Sequence, residues 1–349
     1  MRCNPPHRIP EMKTTRDSNM ELLRLVAMLL VMIIHASYRA LPHPTPDSLA
    51  QAPLSGFLQL TTQSFSVMAV NVFVLLSGWY GIRLRLNRIA ELLFQVLFFG
   101  ILCLAVLYAV QGSFPSGALK SLFMLGESDY WFVKTYLALY LFSPVLNTYV
   151  AQASRRQLEL TLILLFLFQW VFGWVFEATT WLRAGYSLPS FLCLYLLARY
   201  VNVHRPRFAR FSRRADLALF VVICGLTALT VFFLKRHFDL GGVLFFYNSP
   251  NVILSALFLL LFFSKLQLHS RVVNWLAVSA LAIYLTHSSS FIGQFYDGTI
   301  LRWHGELSLP LFVVSTAALI LAVFFASILI DKLRLLLWRP IEKAFPKSR

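Results

Sequence analysis

The sequence predicts an all-α protein: a polytopic transmembrane helical bundle of about ten spans, with both termini on the cytoplasmic side. Three observations predict it. First, 58% of the 349 residues are hydrophobic and 13% are charged, with a mean hydropathy of +0.68. A soluble domain is nearer half apolar and a quarter charged. Second, the apolar residues fall in runs close to the roughly 20 residues a helix needs to cross a bilayer, and the alternating pattern of a membrane barrel is absent. Third, the formal net charge of +16 sits in short clusters between those runs. With the N-terminus inside, about 23 of the 31 Lys and Arg fall in inside segments, as the positive-inside rule requires. That distribution also argues against a nucleic-acid surface, which would gather the charge on one face.

Residues 1–18 form a polar tail carrying Arg2, Arg8, Lys13 and Arg16. The first span is Met20 to Ala36, MELLRLVAMLLVMIIHA. A cleaved signal is disfavoured, because Glu21 and Arg24 interrupt the apolar run and further spans follow. The exit loop, 37–54, is rich in proline and poor in cations. The second span is expected over 57–79, with Thr61, Thr62, Gln63, Ser64 and Asn71 inside it. The loop at 81–88 then holds Arg83, Arg85 and Arg88.

Further spans are expected over 89–110, 131–150, 158–176, 188–201, 217–234, 251–263, 276–292 and 309–330. The most basic loop is 199–214. The chain thus divides into the tail 1–18, one membrane domain 19–331 and a basic cytoplasmic tail 332–349. No internal repeat or soluble catalytic domain is evident. The cysteines Cys3, Cys103, Cys193 and Cys224 form no CxxC pair, so neither a disulfide framework nor a metal site is expected. Those in the apolar spans read as small packing residues.

The first span carries the chemistry. Arg24 and His35 are eleven residues apart, which is roughly 16 Å along a helix and within roughly 20° of one face. Ionisable groups on one stripe of a membrane helix are costly, and function is the default hypothesis for them. Glu21, three residues before Arg24, is the neighbour that would neutralise it. An imidazole titrates near working pH and takes a proton from a hydroxyl; a helix-packing histidine is the competing account of His35. No GxSxG-type nucleophile accompanies it, so direct transfer with His35 as base is simpler than a serine triad.

Arg85 and Arg88 have RxxR spacing, which on a helix puts two guanidinium groups where they can clamp a phosphate. The competing account is that Arg83, Arg85 and Arg88 only set topology. Asn71, Lys134, Tyr136, Asn147, Tyr284 and His287 are expected to line the same cavity, His287 being a second candidate base and Trp131 a further candidate for contact with the substrate. Trp131, at a span end, also fits an interfacial belt. Glu127 and Asp129 lie in an outer loop, where carboxylates suit sugar hydroxyls, but solvation is the simpler account of them.

These residues carry a resemblance. Asn19-x-Glu21-Leu22-Leu23-Arg24, followed ten residues later by His35, is similar to the first-span signature of the integral-membrane acyltransferase-3 family. Three more stretches resemble it: NVFVLLSGWYGIRLRLNRI from Asn71, WFVKTYLALYLFSPVLN from Trp131, and SALAIYLTH ending at His287. Glu21 stands where many members have aspartate. The resemblance implies a multi-pass O-acyltransferase of the bacterial inner membrane, closest to the polysaccharide O-acetyltransferases. It implies His35 as catalytic histidine with Arg24 and Glu21 beside it. Arg85 and Arg88, with Arg24, would contact acetyl-CoA or another acyl-CoA, a donor substrate rather than a resident cofactor. The acceptor would be a lipid-linked or exported glycan. The rival reading from the residues is a transporter or flippase for glycan or lipid intermediates, with Arg24 and His35 along its path.

Overall fold

The computed structural model describes residues 17–124, 130–176, 182–239 and 241–344. Cys3, Glu127 and Asp129 lie outside them. Among the described residues the chain is helical, with no strand.

Seven helices are long and apolar enough to cross a membrane. The first is α1 (Ser18–Ile34), extended by one turn to Arg39. After the short α2 (Pro46–Gln51), α3 (Pro53–Ser66) and α4 (Ala69–Tyr80) together make the second. The third is α5 (Leu86–Gln111), followed by the one-turn α6 (Ala118–Leu122). Then come α7 (Trp131–Gln152) and α8 (Arg155–Trp170), whose extension to Val175 makes it the fourth. Next are α9 (Leu188–His204) and α10 (Arg213–Phe238), the fifth, then α11 (Pro250–Ser264), which together with the segment from Gly242 makes the sixth. After α12 (Arg271–Ala277), α13 (Ala280–His287) and α14 (Gly293–Glu306), α15 (Leu309–Glu342) is the seventh.

The remaining three expected spans take other forms. α7 has the length but mixes Lys134, Ser143, Pro144 and Asn147 into its apolar residues. α9 is 17 residues long. The continuous helix expected over 276–292 is interrupted. Ser279 leaves helical geometry between α12 and α13, and the chain leaves helix again after His287. Hydropathy averaged over a window does not register such breaks.

Local signals set the helix starts. Ser154 and Gln157 close a reciprocal capping box on α8, and Ser212 accepts from the Ala215 N–H at the head of α10, satisfying donors that a helix start leaves open. Pro250 and Pro310 sit in the first turns of α11 and α15, where the missing N–H costs nothing.

α1 is the shared wall of two apolar clusters. Met20, Leu23, Ala27 and Ile34 join the core built on α4, α9, α10 and α11. Leu25, Met28, Val31, Met32 and Ala36 join the core built on α5, α13 and α15. A helix apolar on both faces can be buried on both, and α1 packs against α3, α4, α11, α12, α13 and α15. The outer faces of α5, α8, α10 and α15 instead expose large apolar side chains, among them Ile101, Ile163, Val222 and Phe325. Such a surface suits hydrocarbon and not water.

Gly78 marks a close approach of two long helices. A methyl group there would sit 2.5 Å from the Tyr195 carbonyl oxygen and 2.9 Å from the Ala198 side chain, so α4 and α9 meet backbone to backbone, as small residues allow in membranes. Gly78→Val is expected to cost about 1–3 kcal/mol, the usual range for overpacking, and to lower the thermal midpoint of the detergent-purified protein.

Candidate active site

A cavity of about 820 Å³ lies along α1, within the size range of ligand sites. Its wall contains both Arg24 and His35, together with residues of α3, α4, α7 and the α12–α13 break. α1 is regular from Ser18 to Ile34, so the roughly 16 Å separation along the axis holds. The stripe is the wall of a continuous space.

At one end of that wall, Arg24 is held by Glu21, with 2.6 Å between Nη1 and Oε2. Glu21 is buried and the guanidinium is half-exposed to the cavity. Ser77 Oγ and Tyr136 OH lie 3.1 Å apart, and both residues line the space.

At the other end the helix changes pitch. His35–Arg39 forms a single π turn, in which the Ala40 N–H donates to the His35 carbonyl at 2.9 Å. Such turns occur preferentially at functional positions. His35 Nδ1 lies 3.0 Å from His287 Nε2, and His287 Nδ1 lies 2.6 Å from the Ile283 carbonyl oxygen. A carbonyl only accepts, so His287 Nδ1 carries its proton. With both rings neutral, His287 Nε2 is then the acceptor and His35 Nδ1 the donor. The unprotonated nitrogen of His35 is therefore Nε2. Ser288 Oγ stands 3.3 Å from the same His35 Nδ1.

Arg39 ties this end to α14. Its Nε and Nη2 meet the two oxygens of Asp297 at 2.7 and 2.8 Å, and Nη2 also donates to the His287 carbonyl at 3.2 Å. Opposite α1 the cavity is aromatic. The Trp131 ring lies 4.5 Å from Tyr186 and 5.9 Å from Tyr247, and Phe132 lies 6.0 Å from Tyr284.

Of the residues singled out in the sequence, His35, Arg24, Trp131, Tyr136 and Tyr284 face this one cavity. His287 backs it through His35. Trp131 is part of the wall, stacked among other rings. Asn71 does not line the cavity: it is buried, and its Nδ2 donates to the Tyr247 carbonyl at 2.8 Å, so it fixes a ring of the wall from behind. Glu21 reaches the site only through Arg24.

Arg85 and Arg88 lie apart from the cavity wall, exposed at the start of α5. They do not share a helix face. Arg85 is the N-cap residue with extended backbone (φ −142°), and Arg88 lies in the first turn. Arg88 pairs with Glu91 at 2.6 Å, and Glu91 also faces the buried Arg334 of α15 at 3.6 Å. The loop before them is pinned. Tyr140 OH donates to the Arg83 carbonyl and Asn147 Nδ2 to the Ile82 carbonyl, both at 2.7 Å, and the Ile82 N–H donates to Tyr195 OH at 2.9 Å. Gly81 turns the chain with φ +75°, with the Arg199 guanidinium 3.1 Å from where a side chain would begin. A residue other than glycine is strained there.

Sequence reasoning missed Arg39, Ser288, Asp297, Tyr186 and Tyr247. Arg39 had one available signal, its position four residues after His35. Among the described residues no cluster of His, Cys, Asp or Glu could hold a metal ion.

One comparison with known proteins is informative: the model of a family described as an acyltransferase domain matches residues 17–331, from the head of α1 to the middle of α15. No curated protein and no solved structure matches the chain.

Proposed function

The chain belongs to the acyltransferase-3 family, and from that premise we propose that it is a membrane O-acyltransferase moving an acyl group, most simply acetyl, from cytoplasmic acyl-CoA to a hydroxyl of a cell-envelope or exported glycan. It crosses the bacterial cytoplasmic membrane about ten times with both termini inside. The observation that carries the reading is the His35–His287 pair. An imidazole whose Nδ1 is engaged and whose Nε2 keeps its lone pair, on the wall of a large cavity, is suited to general-base work.

The acyl-CoA approaches from the end of α1 where Arg24 lies, with its phosphates near Arg85, Arg88 and Arg24. The acyl thioester reaches along the cavity to His35. The acceptor enters from the opposite end, where Tyr186, Tyr247 and Trp131 offer flat faces to a sugar ring. His35 Nε2 takes the hydroxyl proton as the oxygen attacks the thioester carbon, and the CoA thiolate leaves with that proton. No cofactor needs to stay bound.

A transporter reading draws on the interrupted α12–α13 and on the length of the cavity, since broken helices beside a path are common in transporters. CoA release separates the two. Purified protein given acetyl-CoA and crude envelope glycan is expected to release free thiol; a pure transporter releases none. In the same assay Arg85→Gln and Arg88→Gln are each expected to raise the KM for acetyl-CoA by about tenfold, the loss of one charge-assisted phosphate contact, and to leave kcat within about threefold. An unchanged KM in both would remove these arginines from the donor site.

A further inference from the structure

The acyl transfer proposed above needs a group to stabilise the negative charge that appears on the thioester oxygen, and neither histidine is available for it. We propose that Arg39 supplies it, as a catalytic residue whose Nη1 N–H groups bind the oxyanion; this rests on the transferase reading of the site.

The argument is a count of donors. A guanidinium has five N–H groups in a fixed plane. Nε has one, and the Asp297 carboxylate occupies its side of the fork, with Oδ2 2.7 Å away as an ion pair. Nη2 has two, and they are matched by Asp297 Oδ1 at 2.8 Å and the His287 carbonyl at 3.2 Å. Both hydrogens of Nη1 are left without a partner among the described residues, and Arg39 lines the same cavity as His35 and Ser288. The two-point grip of Asp297, from α14, fixes the plane of the guanidinium, and its bond to the His287 backbone fixes its place relative to the histidine pair. Donors arranged in advance of the reaction are what effective oxyanion stabilisation requires. The π turn carries both His35 and Arg39, so base and donor sit on one element.

The step balances. His35 Nε2 accepts the hydroxyl proton, the acceptor oxygen bonds to the carbonyl carbon, and the carbonyl π pair moves onto oxygen, where Arg39 Nη1 donates to it. The pair returns as the carbon–sulfur bond breaks, and the thiolate takes the proton from His35. The products are the ester and free CoA.

The test is steady-state CoA release from acetyl-CoA, with crude envelope glycan as acceptor, by wild type, Arg39→Gln, Arg39→Lys and the double variant Arg39→Gln/Asp297→Asn. The double variant removes the uncompensated carboxylate that could hinder folding of the single one. Arg39→Gln and the double variant are expected to lose about 10²-fold in kcat, with the KM for acetyl-CoA within about threefold. Arg39→Lys, which keeps the charge without the planar fork, is expected to lie between. A kcat within about threefold of wild type overturns the proposal, as does a loss carried by KM. Wild type that releases no CoA overturns the transferase reading itself; full, His35-dependent release in the Arg39 variants overturns this inference alone.

Discussion

Replacing His35 by alanine is expected to reduce acyl transfer by about 10³-fold or more, within the range general-base catalysis supplies together with the positioning it enforces. The protein itself should survive. His35 is half-buried, its side chain faces a cavity, and the packing of α1 rests on Leu23, Ala27, Met28 and Met32. Removing an imidazole from a cavity wall enlarges a space that already exists. Size-exclusion elution and thermal midpoint of His35→Ala should therefore stay near wild type while CoA release disappears. Retained release sinks the mechanism; loss of the folded peak instead makes His35 a packing residue.

The second large effect is expected at His287, which never meets the substrate in this account. It acts as a positioning residue, because its Nε2 accepts from His35 Nδ1 and so keeps the lone pair of His35 on Nε2. His287→Ala removes that acceptor, and Nδ1 of His35 becomes as good a site for the lone pair as Nε2. A loss of about 10²–10³-fold in kcat follows, somewhat less than the ~10⁴-fold reported for disturbing the orienting partner of a catalytic histidine in serine proteases. His287→Gln discriminates. A glutamine can present its carbonyl oxygen to His35 Nδ1, so it should recover about tenfold over alanine, whereas His287→Leu, similar in bulk and without an acceptor, should not. Equal activity of the glutamine and leucine variants would reduce His287 to packing.

Much of the arrangement was legible before the fold was known, for physical reasons. Hydropathy and basic loops mark membrane helices because hydrocarbon leaves few alternatives, and seven of the expected spans have the length and composition to cross. Arg24 and His35 were legible as a pair because an α-helix has a fixed period. The pairing of His35 with His287 was not. The two are 252 residues apart, and only the packing of α13 on α1 brings them together. The same holds for Arg39 and Asp297, 258 residues apart. Arg39 was passed over because it follows the apolar run, in what reads as an exit loop; the π turn keeps it on the helix and on the cavity wall.

The interruption of α12–α13 was illegible for a different reason. Ser279 and the serines after His287 are polar enough to end helices but too few to lower a window average. The RxxR pair was misjudged in geometry, since helix spacing applies only when both residues are helical, and Arg85 is the residue before the helix starts.

The central claim is that this cavity transfers an acyl group with His35 as its base. The most direct test is to supply acetyl-labelled acetyl-CoA and crude envelope glycan to wild type and to His35→Ala, each reconstituted in lipid nanodiscs, and to measure label in the glycan. The account predicts label in the glycan with wild type, released as acetate by mild alkali as an ester must be, and none above background with His35→Ala. Equal labelling by the two proteins would contradict it.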